Sequence, residues 1–547
     1  ATAVTNALNV IQTAAENNTA TNSTPSESDY TDAGVSGVNA GNLAAINSAL
    51  NSTAVNGAAV DTAAEVQDLV NSYGAILAAA DGSDDNDTNP TQADYARIGV
   101  TGVDTNEEQS LLGDVIDVKN AGDVDTIPEV QALAGAVQAV MDAASGNTAT
   151  PSKAQLESLG ITGVTDDNLI AVQNAIQGTA NDGSAVDTLS ELQALITATA
   201  TAVTNALNVI QTAAENNSAT NSTPTESDYT DTGVSGVNAA NLAAINSALN
   251  SDNVNGVAVD TVAEIQALVN SYGAILAAAD GSDDNDANPT QTDYARIGVT
   301  GVDTNEEQSL LGDVIDVKNA GDVDTISEVQ ALATAVQAVM DAAAGTSNTP
   351  SKAQLESLGI TDVTDDNLIA VQNAIQATNA DGSEVDTIAE LQALVTTTAG
   401  EVSTALDAIK AAALGNSAND SSPSAAVYSA GGVSNVDASN LAALNSALNT
   451  ASVNDVSVDS IGKIQTLVNS YNTILAAADG SANNAADPSQ QDYLNIGVTG
   501  LNTAGELALA GDLIDSLART AVDRAAKIQL LSGAVQAVMD GASGTSN

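Results

Sequence analysis

The stretch from Asn89 to Ile127, NPTQADYARIGVTGVDTNEEQSLLGDVIDVKNAGDVDTI, returns from Asn288 to Ile326 with Thr292 in place of Ala93. Its opening, Asn89-Pro90-Thr91-Gln92, reads as a capping box with Pro90 at the first helical position, where a missing N–H costs nothing. The helix it starts carries Tyr95 and stops at Gly99, the residue expected to take a left-handed conformation just past the helix end. A turn of the form G-V-x-G-V follows, from Gly99 to Val103, and Asp104 is the expected N-cap of a second helix. Val124-Asp125-Thr126 with Glu129 is a further capping signature and opens a third helix. No segment shows the period-two alternation of a sheet, so the fold class is all-α.

The rest of the chain is built from copies of this unit. ATAVTNALNVIQTAAENN at Ala1 returns at Ala200 almost unchanged, which sets a long period of 199 residues, and a third, more diverged copy follows. Inside each period, prolines open three unit types, A, B and C, at Pro25, Pro90 and Pro151, again at Pro224, Pro289 and Pro350, and finally at Pro423 and Pro488. The expected domains are a C-type tail at 1–23, then A at 24–88, B at 89–149, C at 150–222, A at 223–287, B at 288–348, C at 349–421, A at 422–486 and B at 487–547.

Every first helix ends on a glycine, from Gly34 to Gly497. The second turn glycine is replaced only by Asp362 and Asn435, the side chains that tolerate positive φ best after Gly. Expected second-helix caps are Asn39, Asp104, Thr165, Asn238, Asp303, Thr364, Asp437 and Asn502. Apolar stripes run through Leu43, Ile46 and Leu50, and through Val66, Leu69, Val70, Tyr73, Ile76 and Leu77. In the C type the stripe continues from Leu192 to Ile210, predicting a helix from about Leu189 to Glu215, roughly 40 Å long. The expected architecture is a tandem array of three-helix units forming an elongated rod or solenoid.

Composition narrows the function. Seventy acidic residues face 11 basic ones among 547, a formal charge of −59. Nucleic acid and anionic lipid both require neutralisation by Lys and Arg, so neither is an expected partner. Such charge favours an extended, soluble chain in a salty setting, where at sea strength the screening length falls to roughly 4 Å. No apolar run approaches the ~18 residues of a membrane span, and residue 1 falls inside a repeat, so an export signal is expected outside this stretch. There is no Cys and no His, hence no disulfide, no thiol chemistry and no imidazole base or ligand. All nine aromatics are Tyr, read as core fillers rather than surface anchors. A core of Leu, Ile, Val and Ala is thin, and small units built this way lean on their neighbours.

One motif invites a cation. Asp81-Gly82-Ser83-Asp84-Asp85-Asn86-Asp87 recurs from Asp280 to Asp286, with oxygens at alternate positions: Asp81, Ser83, Asp85, Asp87 and Asp280, Ser282, Asp284, Asp286. That spacing suits Ca²⁺, but an EF-hand would place Gly where Asn86 stands and Glu where Gln92 stands, and the third copy from Asp479 has lost most of its carboxylates. A solvated acidic linker is the competing reading. The Asp of Val-Asp-Thr, present from Asp61 to Asp523, is read as a helix cap rather than a ligand. No base stands near any Ser or Thr, and no break in the repeat marks a unique site, so no catalytic residue and no enzymatic activity are expected.

In the segments SKAQLESLGITGV, from Ser152 to Val164, and DGSAVDT, from Asp182 to Thr188, the chain resembles the repeat arrays of giant bacterial surface and biofilm adhesins, type I-secreted proteins of RTX or Bap-like kind. The resemblance implies an extracellular, cell-surface location, a spacer role and calcium stiffening. It departs from the β-sandwich extenders of such proteins and lacks a glycine-rich calcium nonapeptide run. The expected function is a structural stalk, spacer or fibre in cell-surface attachment or biofilm matrix. The alternatives are a ligand- or cell-binding adhesin module and a self-assembling surface-layer or filament subunit, with self-association as the partner interaction and the adhesion ligand left open.

Overall fold

A computed structural model of the chain describes residues 2–17, 24–83, 88–215, 223–282, 287–415, 422–481 and 486–544. The described residues form α- and 3-10 helices and no strand; their only β-type pairing is three isolated antiparallel bridges, Asp81 with Asn120, Asp280 with Asn319 and Asp479 with Ala518. The chain divides into two compact units, Ala1–Asn270 and Ser271–Asn547.

In the first unit, helices Glu27–Asp32, Leu43–Leu50 and Ala63–Ala79 are followed by Gln92–Ile98, Asn106–Asp117 and Ile127–Ala144, then by Lys153–Ser158, Leu169–Gln177 and Leu189–Glu215. The long C-type helix spans the predicted residues. The first-helix glycines adopt positive φ, as at Gly99 (φ 90°) and Gly497 (φ 80°), and so do Asp362 (φ 66°) and Asn435 (φ 60°). These positions were legible because the backbone alone dictates them.

Two groups of caps lie one residue further on than expected. The first helices are capped by the residue after the proline: Ser26, Thr91, Ser152, Thr225, Thr290, Ser351, Ser424 and Ser489. In seven of these eight the box partner is the Asp or Gln three residues later, as in Thr91 with Asp94 and Ser152 with Gln155. Each proline is buried, so its ring works as an apolar plug ahead of the cap rather than as a helical residue. In the B type the second helix is capped by Thr105, Thr304 and Thr503, while Asp104 donates its N–H to Glu108 Oε2 at 2.7 Å. In the A and C types the expected residues do cap, but they cap a turn that leads into the helix: Asn39 Oδ1 accepts from Gly41 N at 2.8 Å.

Buried apolar contacts run on through the proline-marked stretches. One core in the first unit joins Ile11, Tyr30, Ile46, Tyr73, Leu111, Val140, Leu156, Val172 and Ile196. In the second unit one core runs from Ala370 to Val535. Hydrogen bonds cross the same boundaries. The first N–H of the third helix donates to a side chain on the second helix of the preceding stretch or, at Asp366, in the turn that leads into it: Ile127 N to Ser48 Oγ (2.8 Å) and Leu189 N to Asp114 Oδ2 (3.1 Å) in the first unit. Ile388 N to Asp313 Oδ2 (3.3 Å), Ile461 N to Asp366 Oδ1 (2.9 Å) and Ala525 N to Ser446 Oγ (2.9 Å) repeat the pattern in the second. Tyr73 reaches forward in the same way, its hydroxyl donating to Val124 O at 3.1 Å.

The buried tyrosines split into two chemical classes. In A-type stretches Tyr30 Oη donates to Asn47 Oδ1 at 2.7 Å, and Asn47 Nδ2 donates to Pro25 O at 2.8 Å. In B-type stretches Tyr95, Tyr294 and Tyr493 are as deeply buried, yet their hydroxyls have no hydrogen-bond partner. Tyr30→Phe is therefore expected to cost about 1–2 kcal/mol by stranding Asn47, whereas Tyr95→Phe is expected to be neutral or stabilising by up to ~1 kcal/mol. Urea melts of the two variants check this, and equal destabilisation by both would refute it.

Candidate cation loops and paired carboxylates

Of the expected Ca²⁺ ligands, the structure describes Asp81, Ser83, Asp280 and Ser282; Asp85, Asp87, Asp284 and Asp286 lie outside the described residues. Asp81 Oδ1 accepts hydrogen bonds from both the N–H (2.8 Å) and the hydroxyl of Ser83, and Asp280 Oδ1 does the same with Ser282 N at 2.9 Å and Oγ at 2.6 Å. Those bonds hold both carboxyls below their ordinary range. The bracketing Gly82 and Gly281 sit at φ 83°. The same Asp-Gly-Ser turn closes at Asp182 with Ser184, Asp381 with Ser383 and Asp479 with Ser481, where no acidic run follows. A local Asx turn thus accounts for Asp81 and Ser83 without a metal. Among the described residues no three acidic side chains converge in a way that could hold an ion.

The Asp of Val-Asp-Thr is not the cap. The cap position is the following residue, Arg524 in the last copy and otherwise a Thr or Ser as at Thr62, whose hydroxyl accepts from Glu65 N at 3.2 Å while its own N–H donates to Glu65 Oε2 at 2.9 Å. The Asp stands one residue ahead and faces the same Glu. A hydrogen bond to Glu65 and its charge raise Asp61 above the ordinary carboxylate range. Burial, then the bond to Glu191 and the charges of Glu191 and Glu107, raise Asp187. At Asp386 burial, the bond to Glu390 and repulsion from Glu390 and Glu306 push the carboxyl up to about 6. The third period replaces the Glu by Lys and turns the repulsive pair into an ion pair: Asp459 with Lys463 at 2.8 Å and Asp523 with Lys527 at 2.7 Å.

A glutamine on each third helix was missed by sequence reasoning. Gln131 Oε1 accepts from Thr101 N at 2.9 Å and its Nε2 donates to Thr101 O at 3.0 Å, so the amide clasps the middle residue of the G-V-x-G-V turn like a short strand. Gln67, Gln193, Gln266, Gln330, Gln392, Gln465 and Gln529 make the same pair of bonds to Ser36, Thr162, Ser235, Thr300, Thr361, Ser434 and Thr499. Its recurrence in all eight units was the available signal.

The surface clefts add no reactive set. One of about 720 Å³ is lined by Thr397, Gly400, Thr404, Ala405, Val427 and Ala430, with Glu401 as its single ionisable group. No helix of the described residues is long and apolar enough to cross a membrane. No protein-family model, curated protein or solved structure matches the chain.

Two outcomes are expected. The raised Asp386 is more stable protonated, so its contribution falls as pH rises from its ordinary 3.8 through about 6 and is flat above. Asp386→Asn should therefore melt higher than the parent at pH 7, with the difference shrinking towards pH 4; a difference independent of pH would contradict the pairing. For the acidic loops, CaCl₂, MgCl₂ and NaCl at matched ionic strength are expected to raise the melting temperature alike, as screening requires. An excess specific to Ca²⁺ that Asp81→Asn with Asp280→Asn abolishes would instead establish chelation.

Proposed function

We propose that the chain is a structural repeat region of an extracellular bacterial surface protein, a stalk, spacer or fibre built as a tandem array of three-helix units. The observation that carries this reading is the borrowed cap. Third helices take the acceptor for their first N–H from the stretch before, at two kinds of junction in the first compact unit and at all three in the second. Such a unit is incomplete without its predecessor, which is the energetic signature of nearest-neighbour arrays rather than of independent beads.

The charge supports the same reading. With −59 in all, and ion pairs that are few and solvent-exposed, electrostatics opposes compaction and contributes little cohesion. The absence of His and Cys and the recurrence of the glutamine clasp in all eight copies favour a mechanical role over a catalytic one. A ligand-binding module would present aromatic or Arg anchors, whereas all nine tyrosines are buried.

Small-angle scattering on the whole chain tests the proposal. An array should give a radius of gyration well above the roughly 24 Å of a compact chain of this length, little changed by added salt. A value near 24 Å at all salt concentrations would overturn the stalk reading.

A further inference from the structure

The joints between stretches differ in charge. At the A–B joint of the first unit the borrowed cap is neutral, since Ile127 N donates to the Ser48 hydroxyl. At both B–C joints it is a carboxylate: Leu189 N donates to Asp114 and Ile388 N to Asp313. Each acceptor stands on a B-type helix, Asn106–Asp117 or Asn305–Asp316, whose first turn also carries Glu107 or Glu306. The loop ahead of the C-type long helix is pressed against that turn. A Cβ added at Gly382 would stand 2.6 Å from Met340 Sδ and 3.8 Å from Glu306 Cβ, and one at Gly183 would stand 2.9 Å from Met141 Sδ and 3.7 Å from Glu107 Cβ.

The C-type stretch brings carboxyls of its own into this joint. Asp386, half-buried there, and Glu390 meet Glu306 and Asp313 of the stretch before. The loop adds Asp381 and Glu384, and helix Leu368–Gln376, which packs on Ile388–Gly415, has no ionisable side chain. On Ile326–Ala343, Asp341 is engaged by Asn348 Nδ2 at 2.7 Å. No ion pair among the described residues reaches Asp386, Glu390 or Glu306, and Lys318 donates instead to Ser357 O at 2.9 Å. The third period treats a carboxylate-capped joint differently. There Ile461 N borrows Asp366, and Lys463 takes the place of the Glu and pairs with Asp459 at 2.8 Å.

We propose that the two B–C joints are acid-tightened links: in mild acid one proton from solvent, shared by Asp386 and Glu390 or by Asp187 and Glu191, relieves repulsion across the joint and firms the docking of the C-type long helix on the B-type stretch. Burial, the bond to Glu390 and the charges of Glu390 and Glu306 hold the Asp386 carboxyl at about 6. The gain is therefore full below its ordinary 3.8 and is lost as the pH rises through about 6. Burial and the charge of Glu306 act on Asp386 only while the joint is closed, which couples the proton to the joint. The A–B joint, with its hydroxyl acceptor, lacks this response. The link requires nothing of the overall shape, so a compact scattering radius would overturn the stalk and leave the link standing.

Hydrogen exchange of the whole chain, corrected for the intrinsic pH dependence of amide exchange, tests this at the amides of Ile388, Leu189 and Ile127. From pH 7 to pH 5 the protection of Ile388 relative to Ile127 should rise about tenfold, as a carboxyl moved from 3.8 to about 6 requires. Leu189 should move in the same direction. Asp386→Asn should remove the rise at Ile388 and keep it at Leu189. Glu390→Lys, which copies Lys463, should remove it too, and circular dichroism confirms that the variants fold. Equal changes at all three amides, or a rise at Ile388 that survives either substitution, overturns the proposal.

Discussion

The helices that begin at Ile127, Leu189, Ile388, Ile461 and Ala525 take the acceptor for their first N–H from an earlier stretch of the chain, and the packing between stretches is built around that bond. A helix start leaves its opening N–H groups unsatisfied, and a capping box at Thr126 and Glu129 deals with part of that debt locally. The remaining bond, Ile127 N to Ser48 Oγ, ties the helix to residues 79 positions earlier. The acceptor changes from Ser to Asp between junction types, at Asp114 and Asp366, while the bond is kept. The bond is thus kept while both the residue and its place change, since Asp114 lies on a second helix and Asp366 in the turn ahead of one.

The glutamine clasp does for the inside of a unit what the borrowed cap does between units. The G-V-x-G-V turn has two positive-φ positions, so its strandlike middle residue has N–H and C=O groups with no helical partner. Gln131 satisfies both at once on Thr101. Because Gln131 lies one turn into the third helix, the clasp also sets the angle at which the first and third helices meet. A core with little aromatic bulk gains specificity from such paired amide bonds, which tolerate no slip of register.

How far the sequence could be read follows the range of the forces involved. The all-helical class, the span Leu189–Glu215 and the left-handed Gly99, Asp362 and Asn435 were legible because propensity and backbone sterics act within a few residues. The caps at Ser26 and Thr105 were displaced by one residue because two overlapping boxes compete there; burial of Pro25 decides at Ser26, and the box of Thr105 with Glu108 at the other. The partners of Gln131 and of the Asp386–Glu390–Glu306 cluster were not legible, since each joins residues about 30 or more positions apart in at least one contact, although the recurring glutamine itself was in view. At the acidic loops the local reading was ambiguous for a physical reason: an Asp-Gly-Ser turn and a cation ligand use the same oxygen.

The third period shows which contacts the sequence repeat exchanges. It exchanges the Glu of the capping box for Lys463 and Lys527, losing the box's carboxylate acceptor but replacing a repelling pair by an ion pair with Asp459 and Asp523. It exchanges Lys119 for Leu517 and Gly135-flanking Ala134 for Ser532, whose hydroxyl donates to Thr499 O at 2.7 Å. Throughout these changes Gln465 and Gln529 keep their clasps and Ser446 keeps the borrowed cap. Local charge arrangements are thus interchangeable, because exposed pairs contribute only about 0–1 kcal/mol. The bonds that fix register are not, because a buried N–H left without an acceptor costs about 1–3 kcal/mol and misplaces the helix it begins.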